Sequence, residues 1–314
     1  MIGAVDIGGT KLAVGLVDEH GGVLAKSETV TGSESSYSAG IQNIAGMLRE
    51  MAQNARVEIT GIGIGSTGPV DPRSGEFGEV DFLPYWRRQN PVQDLAKLFA
   101  VNVALENDAD AGALAEAAWG AGKGKSRLIY ITVGTGIGGG IILDGQLYRG
   151  VDGAHPELGH QVIDPSGPPC SCGFRGCWES LAAGPAMAAW AKSQAPANDS
   201  YRTAKQIFQL AREGDELARR AVEREAHYLG LGLANLINLF TPDMIVLGGS
   251  VMKSAPLFLE GIRKTICRGC RFVPYEKTEL VLASLGEDAN LIGAARVWHH
   301  RFGHEVQPAL KCAD

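Results

Sequence analysis

The sequence predicts an α/β protein built from two related domains. Short apolar segments alternate with segments whose apolar residues recur at helical spacing, which is typical of α/β proteins. A short motif also repeats, because Val5–Asp18 aligns without gaps on Ile131–Asp144, with Gly8 opposite Gly134. Both stretches are typical of a strand, a glycine turn and a second strand. The repeat therefore predicts one such hairpin in each domain, with chance similarity of two glycine-rich hairpins as the alternative.

The first part of the chain is predicted to begin with three strands and to continue with alternating helices and strands. Tight turns separate the apolar runs Ile2–Ile7, Lys11–Val17 and Val23–Val30, which predicts the strands. The spacing of apolar residues predicts a helix over Ser38–Ala55. The other elements predicted here are strand Ile59–Gly65, helix Pro91–Phe99, strand Val101–Glu106 and helix Asn107–Ala121.

The second part of the chain is predicted to be mainly helical. A long helix is predicted over Asp215–Leu239, with Gly230 and Gly232 at points of close packing. A buried strand is predicted over Met244–Leu247, directly before Gly248-Gly249-Ser250. The other predicted elements are helices Ala182–Gln194, Ala204–Glu213, Pro256–Thr265 and Ala289–Phe302, and strand Leu280–Ala283.

Three cysteines and one histidine form a candidate metal site. Cys170, Cys172 and Cys177 follow His160 within one loop that is rich in glycine and proline. Four nitrogen and sulfur ligands complete the tetrahedron that zinc prefers, and a closed set of protein ligands is typical of structural zinc. The alternative is a cluster of reduced thiols. The sequence therefore predicts a structural zinc ion in this loop.

Two glycine turns are candidate phosphate sites. Turns of the kind in Asp6–Lys11 and Gly134–Gly139 expose backbone N–H groups that can bind anions. Two such turns, each with a hydroxyl and one with a lysine, predict a polyphosphate held between the domains. Neither turn matches the Walker sequence or leads into a helix, which excludes a P-loop protein. The alternative is that the glycines serve only the hairpins.

Carboxylates and a second glycine pair complete the candidate site. Asn107-Asp108 lies at a strand-to-helix junction, from which a carboxylate can reach into a cleft, although a helix N-cap alone is the alternative. Glu157 and Glu179 flank the candidate zinc loop, which would hold both where a polar ligand could meet them. Gly248-Gly249 follows a buried strand, where backbone can approach a flat ligand such as adenine.

Composition excludes several classes of protein. The net charge of −6 offers no basic surface for nucleic acid. No apolar run reaches the roughly 18–20 residues of a membrane span, and no signal-like leader precedes the first strand, so a cytoplasmic location is expected. Six unevenly spaced cysteines favour metal binding or free thiols over a disulfide framework. Cys267 and Cys270 could form a redox pair or half a metal site, but reduced structural thiols are favoured.

Taken together, these motifs resemble those of the ROK family of bacterial sugar kinases and repressors. The matching segments, in the family's order and across nearly the whole chain, are Asp6-x-Gly-Gly-Thr-Lys11, Glu106-Asn-Asp108, Gly134-Thr-Gly-x-Gly-Gly139, Glu157-x-Gly-His160 and Cys170-x-Cys-Gly-x-x-Gly-Cys-x-Glu179. The resemblance implies the two-domain actin-like/hexokinase (ribonuclease H-like) ATPase fold with an interdomain cleft. It places a small α/β domain at residues 1–118 plus 290–314 and a large α/β domain with the zinc loop at 119–289. It also implies a homodimer.

The family resemblance implies a function and a role for each matching residue. The expected reaction is ATP-dependent phosphorylation of a hexose at its 6-hydroxyl, with Mg²⁺, with Asp108 as the base and with glucose as the first expectation. The implied substrate-binding residues are Ser66, Gly68, Asn107, Asp108, Glu157, His160 and Glu179. The implied nucleotide-binding residues are Asp6, Gly8, Gly9, Thr10, Lys11, Gly134, Thr135, Gly136, Gly248 and Gly249. The implied zinc ligands are His160, Cys170, Cys172 and Cys177.

The chain departs from the family pattern in one loop. Many members have Asn-Leu-Pro-Gly-Trp over the sugar, whereas this chain has Phe82-Leu-Pro-Tyr-Trp86. In addition, His155-Pro156 replaces the small residues often found before Glu157. The loss of an amide leaves N-acetylmannosamine, N-acetylglucosamine and fructose open as substrates, and leaves the phosphate donor open as well.

Two other classes of protein compete with a kinase. A sugar-responsive repressor of the same family would carry an N-terminal helix-turn-helix, and the first glycine turn follows Met1 too closely to leave room for one. A zinc-stabilised sugar-binding protein without turnover would not need Asp108 and two intact glycine turns. Both are therefore disfavoured as predictions from the sequence.

Overall fold

The chain forms two compact units. The computed structural model describes residues 1–31, 36–80 and 83–303. The first unit contains Met1–Gly124, Gln146–His155 and the chain from Ser284, and the second contains Lys125–Gly145 and Pro156–Ala283. The sequence-based boundaries place residues 119–124, 146–155 and 284–289 in the large domain, whereas these segments belong to the first unit.

Both units contain strands and helices. The strands are β1 (Ile2–Ile7), β2 (Lys11–Val17), β3 (Val23–Val30), β4 (Gly61–Ser66), β5 (Val70–Asp71), β6 (Glu76–Phe77), β7 (Val103–Asn107), β8 (Leu128–Val133), β9 (Ile137–Leu143), β10 (Gln146–Leu147), β11 (Met244–Gly248) and β12 (Glu279–Leu282). The helices are α1 (Tyr37–Ala55), α2 (Pro91–Phe99), α3 (Asp108–Trp119), α4 (Trp178–Ala182), α5 (Gly184–Gln194), α6 (Ala204–Glu213), α7 (Glu216–Phe240), α8 (Leu259–Gly269) and α9 (Ala289–Phe302). Within the described ranges, no helix has both the length and the hydropathy to cross a membrane.

The sheet of the first unit aligns the ends of three strands. Its order is β3-β2-β1-β4-β7, with β1 and β2 antiparallel and with β4 parallel to both β1 and β7. Ile7 pairs with Ser66, and Ser66 pairs with Asn107. The carboxyl ends of β1, β4 and β7 therefore lie side by side, which is the edge where ligands bind to open α/β sheets.

Strand β4 shows how the helices cover this sheet. Ile62 and Ile64 point into the buried cluster that includes residues of α1. Gly61 and Gly63 occupy the opposite face, where a Cβ on Gly63 would lie 1.9 Å from the carbonyl oxygen of Ala294 in α9. Helix α9 can therefore approach the sheet closely only because glycine alternates with isoleucine in this strand.

The second unit packs around α7. Its sheet contains β9-β8-β11-β12, with β8 and β9 antiparallel and with β11 parallel to β8 and β12. Trp178 is buried and packs against α7 at Gly232, where a Cβ would lie 2.1 Å from its indole ring. A Cβ on Gly230 would lie 2.5 Å from Thr265 of α8. The predicted close packing at both glycines is confirmed.

The repeated hairpin is present in each unit, but the two turns differ in length. The pair Ile7 and Leu12 encloses four residues, 8–11, whereas the pair Val133 and Ile137 encloses three, 134–136. The gapless alignment is therefore right for the first strands and one residue out of register in the second strands.

Two predicted helices have different bounds. The predicted helix Ala182–Gln194 is split, because α4 ends at Ala182 and α5 begins at Gly184 with Pro185 in its first turn. Proline suits a first turn, where its missing N–H has no intrahelical partner. The predicted helix Pro256–Thr265 begins at Leu259, and Pro256 lies in the short 3₁₀ segment before it.

Candidate functional site

Asp6 lies at the edge where the three parallel strands of the first unit end. It is the penultimate residue of β1 and is only 8% exposed. Its Oδ2 accepts a hydrogen bond of 3.0 Å from Asn290 Nδ2. Burial is the main cause that raises the pKa of Asp6 to about 6, with a further contribution from the charge of Asp108, while the Asn290 hydrogen bond opposes the shift. Two predicted site carboxylates thus influence each other within this unit.

Asn107 and Asp108 form the start of α3. The Asn107 Oδ1 accepts hydrogen bonds from the backbone N–H groups of Ala109, at 2.9 Å, and Asp110, at 3.4 Å, so Asn107 is the N-cap and Asp108 the first helical residue. A Cβ on Gly68 would lie 3.4 Å from Asn107 Nδ2, which brings two predicted substrate-binding residues together. The predicted N-cap therefore exists, and it orients the amide of Asn107.

Ser66 lies inside the sheet and does not expose its side chain to a ligand. It is fully buried, and its Oγ donates a 3.0 Å hydrogen bond to the carbonyl oxygen of Ile7. This bond ties the end of β4 to the end of β1. Ser66 therefore lies within the predicted site, but its hydroxyl proton is used in a hydrogen bond between two strands of the sheet.

The first glycine turn exposes its central residues. The Gly8 N–H donates to the Lys11 carbonyl oxygen at 2.9 Å, which closes the turn, while Gly9 and Thr10 are exposed. Lys11 Nζ forms an ion pair of 2.5 Å with Glu28 Oε1, and both side chains are about half exposed. The turn therefore presents Gly9, Thr10 and the side chain of Lys11 at the surface of the unit, as an anion site requires.

A charged cluster beside Asp108 was not predicted from the sequence. Arg149 forms ion pairs with Glu106 and Asp110, and His155 Nδ1 lies 2.7 Å from Asp110 Oδ2. Asp110 is fully buried, and burial is the main cause that raises the pKa of Glu106 to about 7. The sequence does place three carboxylates, Glu106, Asp108 and Asp110, within five residues. Carboxylates that are buried this close together need a cation beside them, so this spacing could have indicated the cluster.

The four candidate zinc ligands of the second unit meet at one point. The ligand atoms of His160, Cys170, Cys172 and Cys177 all lie within 4.8 Å of one another. The Sγ atoms of Cys172 and Cys177 are 3.4 Å apart, and Cys170 Sγ is 3.5 Å from His160 Nδ1. Ligand atoms around tetrahedral zinc lie about 3.5–3.8 Å apart, given Zn–S and Zn–N distances near 2.3 and 2.0 Å. The donor set therefore fits zinc in kind, and the two pairs of ligand atoms at 3.4 and 3.5 Å are close to the spacing of a tetrahedral site.

Glycine shapes the loop that carries these ligands. Gly176 has φ +68°, and a Cβ there would lie 1.5 Å from the carbonyl oxygen of Asp164. The Gly176 carbonyl oxygen also accepts a 2.9 Å hydrogen bond from the Ile163 N–H. Only glycine fits this backbone position, which sets Cys177 beside the other ligands.

The second glycine turn contacts Glu179. Its turn closes through a 2.9 Å bond from the Gly134 N–H to the Gly136 carbonyl oxygen. Glu179 Oε2 accepts a 2.9 Å hydrogen bond from the Ile137 N–H, and a Cβ on Gly136 would lie 2.3 Å from the same oxygen. Three predicted site residues from two motifs are thus brought together.

Glu157 is exposed at the start of a short 3₁₀ turn that ends at the candidate ligand His160. The His160 N–H donates to the Glu157 carbonyl oxygen at 3.1 Å. Within the turn, a Cβ on Gly159 would lie 2.0 Å from the carbonyl oxygen of Ile137 in β9. The turn is therefore pressed against β9, which fixes both Glu157 and His160 relative to the sheet.

A cavity of about 660 Å³ opens beside Gly134 and Thr135 in the second unit. Its wall combines apolar surface with four basic side chains, which the sequence did not indicate because α6 and two separate loops supply them. These basic residues are Arg202, Lys205, Arg212 and Lys253. Gly249, with φ +91°, allows the chain after β11 to pass close to Val133, where a Cβ would lie 2.3 Å from the carbonyl oxygen, and Ser250 then lines the cavity.

Cys267 and Cys270 occupy different environments in and after α8. The Tyr275 hydroxyl donates to the exposed Cys267 Sγ at 3.0 Å, whereas Cys270 is buried and its Sγ donates to the Ala234 carbonyl oxygen at 3.5 Å. Burial also raises the pKa of the Cys270 thiol. Burial makes Cys270 a structural thiol, whereas the role of Cys267 stays a prediction.

Known proteins resemble this chain over nearly its full length. A family model described as the ROK family matches residues 2–301. A glucokinase from Thermotoga maritima is 33% identical over 310 residues, which cover 95% of this chain and 97% of the relative. A ROK hexokinase structure from Thermus thermophilus has a TM-score of 0.83 at 35% identity, covering 96% of this chain and 99% of that one.

A second solved structure includes ligands. It is a ROK family glucokinase from Streptomyces griseus in complex with glucose and AMPPNP, with a TM-score of 0.79 at 33% identity, covering 94% of this chain and 97% of the other. The predicted fold and the predicted family resemblance are both confirmed by these matches. The chain belongs to the ROK family.

Proposed function

We propose that this protein transfers the terminal phosphoryl group of ATP to the 6-hydroxyl of a hexose, with glucose as the acceptor to test first. The observation that carries the proposal is Asp108 at the first position of α3, next to the N-cap Asn107. The likeness to a glucokinase that was solved with glucose and AMPPNP supports both substrates. N-acetylmannosamine, N-acetylglucosamine and fructose are the alternative acceptors, and the homodimer remains a prediction of the family resemblance.

Asp108 acts as the base in this proposal. Phosphoryl transfer depends on positioning and on neutralising charge, because its transition state is loose. Asp108 orients the 6-hydroxyl and accepts its proton, and Asn107 holds a neighbouring hydroxyl through its amide. General-base catalysis of this kind contributes about 10²–10⁴-fold to the rate.

The two glycine turns bind the phosphates in this proposal. In the first turn, which the Gly8 N–H closes, Gly9 and Thr10 supply N–H groups and a hydroxyl, and Lys11 supplies a positive charge. In the second turn, which the Gly134 N–H closes, Thr135 and Gly136 supply further N–H groups. The cavity beside Thr135 would take the nucleoside, with Gly248 and Gly249 giving the backbone its close approach. Mg²⁺, when bound, would neutralise phosphate charge, and Asp6 is the residue that would hold it through water.

The sugar would be bound by carboxylates that the zinc loop orients. Glu157, His160 and Glu179 offer hydrogen bonds to sugar hydroxyls, and His160 would use its second ring nitrogen for this purpose. Zinc would supply structural order only, because four protein ligands leave it no open position.

The test is an ADP-release assay over a panel of hexoses and N-acetylhexosamines, with Asp108→Asn as the diagnostic variant. We expect kcat to fall by more than about 10²-fold, while calorimetry still detects sugar binding, because asparagine keeps the size but cannot accept the proton. Asp94→Asn, which removes a carboxylate from the first turn of α2, is the matched control and should keep wild-type kcat.

Two outcomes would count against the proposal. An Asp108→Asn variant with more than about a tenth of the wild-type kcat would remove the base from the mechanism. Sugar binding without ADP release for every sugar would instead favour a binding or repressor function.

A further inference from the structure

Arg149 joins two buried carboxylates of the first unit. Its guanidinium donates through Nη1 to Asp110 Oδ2 and forms an ion pair through Nη2 with Glu106 Oε2. The side chains of Arg149, Glu106 and Asp110 are 21%, 7% and 0% exposed. A planar guanidinium with its donors in a fixed fork holds two carboxylates in a defined relative position, which a lysine ammonium cannot do.

The two carboxylates flank Asp108 in the chain. Glu106 is two residues before it in β7, and Asp110 is two residues after it in the first turn of α3. The backbone between them is also fixed, because the Asn107 N–H donates to Glu106 Oε1 at 2.9 Å and Asn107 Oδ1 caps the helix. The strand end and the helix start that meet at Asp108 are thus held together by one side chain.

The same segment has a second attachment to Asp110. His155 Nδ1 lies 2.7 Å from Asp110 Oδ2, six residues after Arg149. Pro156 and Glu157 follow His155 directly in the chain. Residues 149–155 are therefore fixed on α3 at both ends, just before the exposed carboxylate that the proposed function assigns to the sugar.

The two buried carboxylates, Glu106 and Asp110, can stay side by side only because of the positive charge of Arg149. Glu106, Asp108 and Asp110 place three carboxylates within five residues. Burial raises the pKa of Glu106, and the charge of Arg149 opposes this shift. Without the guanidinium, the buried carboxylates would repel each other or take up protons, and either change releases the strand end from the helix start.

We propose that Arg149 is a positioning residue, which holds Asp108 in place for phosphoryl transfer by binding the carboxylates two residues before it and two residues after it. The inference rests on the proposed function for the role of Asp108. Arg149 itself need not touch the sugar or the nucleotide. Its loss should therefore change kcat and leave binding of both substrates nearly unchanged.

The test compares Arg149→Lys and Arg149→Gln with the wild type by two measurements. Steady-state kinetics should show kcat lowered by about 10²-fold in both variants with KM nearly unchanged, since a displacement of about 1 Å has this effect on a reacting group. Hydrogen exchange should show faster exchange of the Ala109 and Asp110 N–H groups, which now donate to Asn107 Oδ1. Arg127→Gln removes an arginine from an exposed ion pair with Asp144 and should change neither measurement.

The outcomes separate this inference from the proposed function. Wild-type kcat in Arg149→Lys would overturn the inference, because lysine keeps the charge but not the fork, and so would an increase in KM with kcat unchanged. If the wild type phosphorylates none of the sugars, the proposed function fails, and hydrogen exchange alone then decides the positioning role. Unchanged exchange at Ala109 and Asp110 in both variants would overturn that role as well.

Discussion

Glu225 is a carboxyl group buried in the second unit, and its protonation should set the pH dependence of stability there. It lies on α7 and is completely buried. Among the described residues, neither of its carboxylate oxygens has a hydrogen-bond partner. Burial therefore raises the pKa of Glu225 well above its ordinary value, while the charge of Arg224 opposes the shift.

The sign of the effect follows from this raised pKa. Below about pH 4.3, glutamic acid is protonated in the unfolded chain as well, and burial as the neutral acid has no pH-dependent cost. Above that pH the unfolded chain releases the proton and the folded chain keeps it. The free energy of unfolding should then fall by about 1.4 kcal/mol per pH unit until the pH reaches the folded-state pKa.

The perturbation is Glu225→Gln, which keeps the shape and carries no titratable proton. Burying the amide changes the free energy of unfolding by the same amount at every pH. The pH dependence of the difference between variant and wild type therefore reports on the carboxyl group alone. Above about pH 5, the free energy of unfolding of the variant should rise relative to that of the wild type by about 1.4 kcal/mol per pH unit, for as long as the wild-type carboxyl group stays protonated in the folded chain. Urea unfolding at several pH values, followed by circular dichroism, measures this difference.

Glu223→Gln is the matched control, because Glu223 lies two residues away on α7 and is exposed. Its free energy of unfolding should run parallel to that of the wild type across the pH range. A Glu225→Gln curve that also runs parallel would refute the reasoning, since it would mean that Glu225 ionises equally in the folded and unfolded states.

Two further predictions concern the candidate zinc loop and Phe82. Purified protein should contain one zinc per chain, and Cys172→Ser should weaken sugar binding more than nucleotide binding in calorimetry, because the loop adjoins Glu157 and Glu179 while the Gly8 turn is built elsewhere. Zinc retention should fall as the pH is lowered, since the ligands must be deprotonated; a zinc-free preparation that binds sugar as tightly as the holo form would contradict this role. Phe82, which lies outside the described residues, should limit selectivity, so Phe82→Asn should sharpen the preference for glucose, because hydrogen-bonding sites discriminate strongly. If the kcat/KM ratios across the sugar panel do not change in this variant, Phe82 does not determine the sugar selectivity.

Local sequence patterns predicted the parts of the fold that depend on local chemistry. The hairpins were predictable because short turns separate apolar runs, and the close packing at Gly230 and Gly232 because glycine inside a helix has few other uses. The cluster of His160 with three cysteines was predictable because its members are close in the sequence and chemically distinctive. The strand that ends at Asn107 was predicted two residues too early at its start and one too early at its end, because pairing with β4 sets its bounds.

Long-range pairs were not predictable in the same way. Arg149 lies 39 residues after Asp110, and no local pattern relates an arginine beyond a hairpin to a helix start. The basic wall of the cavity beside Gly134 has the same origin, because Arg212 and Lys253 belong to separate segments. The sequence indicated which residues carry chemistry, but tertiary packing decides which charges hold them.

Helix α3 shows why such charges are needed at the candidate site. Every residue from Ala109 to Glu116 is buried, so the helix has no polar face to set its rotation. Arg149 fixes the start of the helix through Asp110, and Glu116 fixes its end by accepting hydrogen bonds from the N–H groups of Ala121, Ser284 and Leu285. Charged contacts at both ends therefore add to packing in holding this helix, and Asp108 is its first residue.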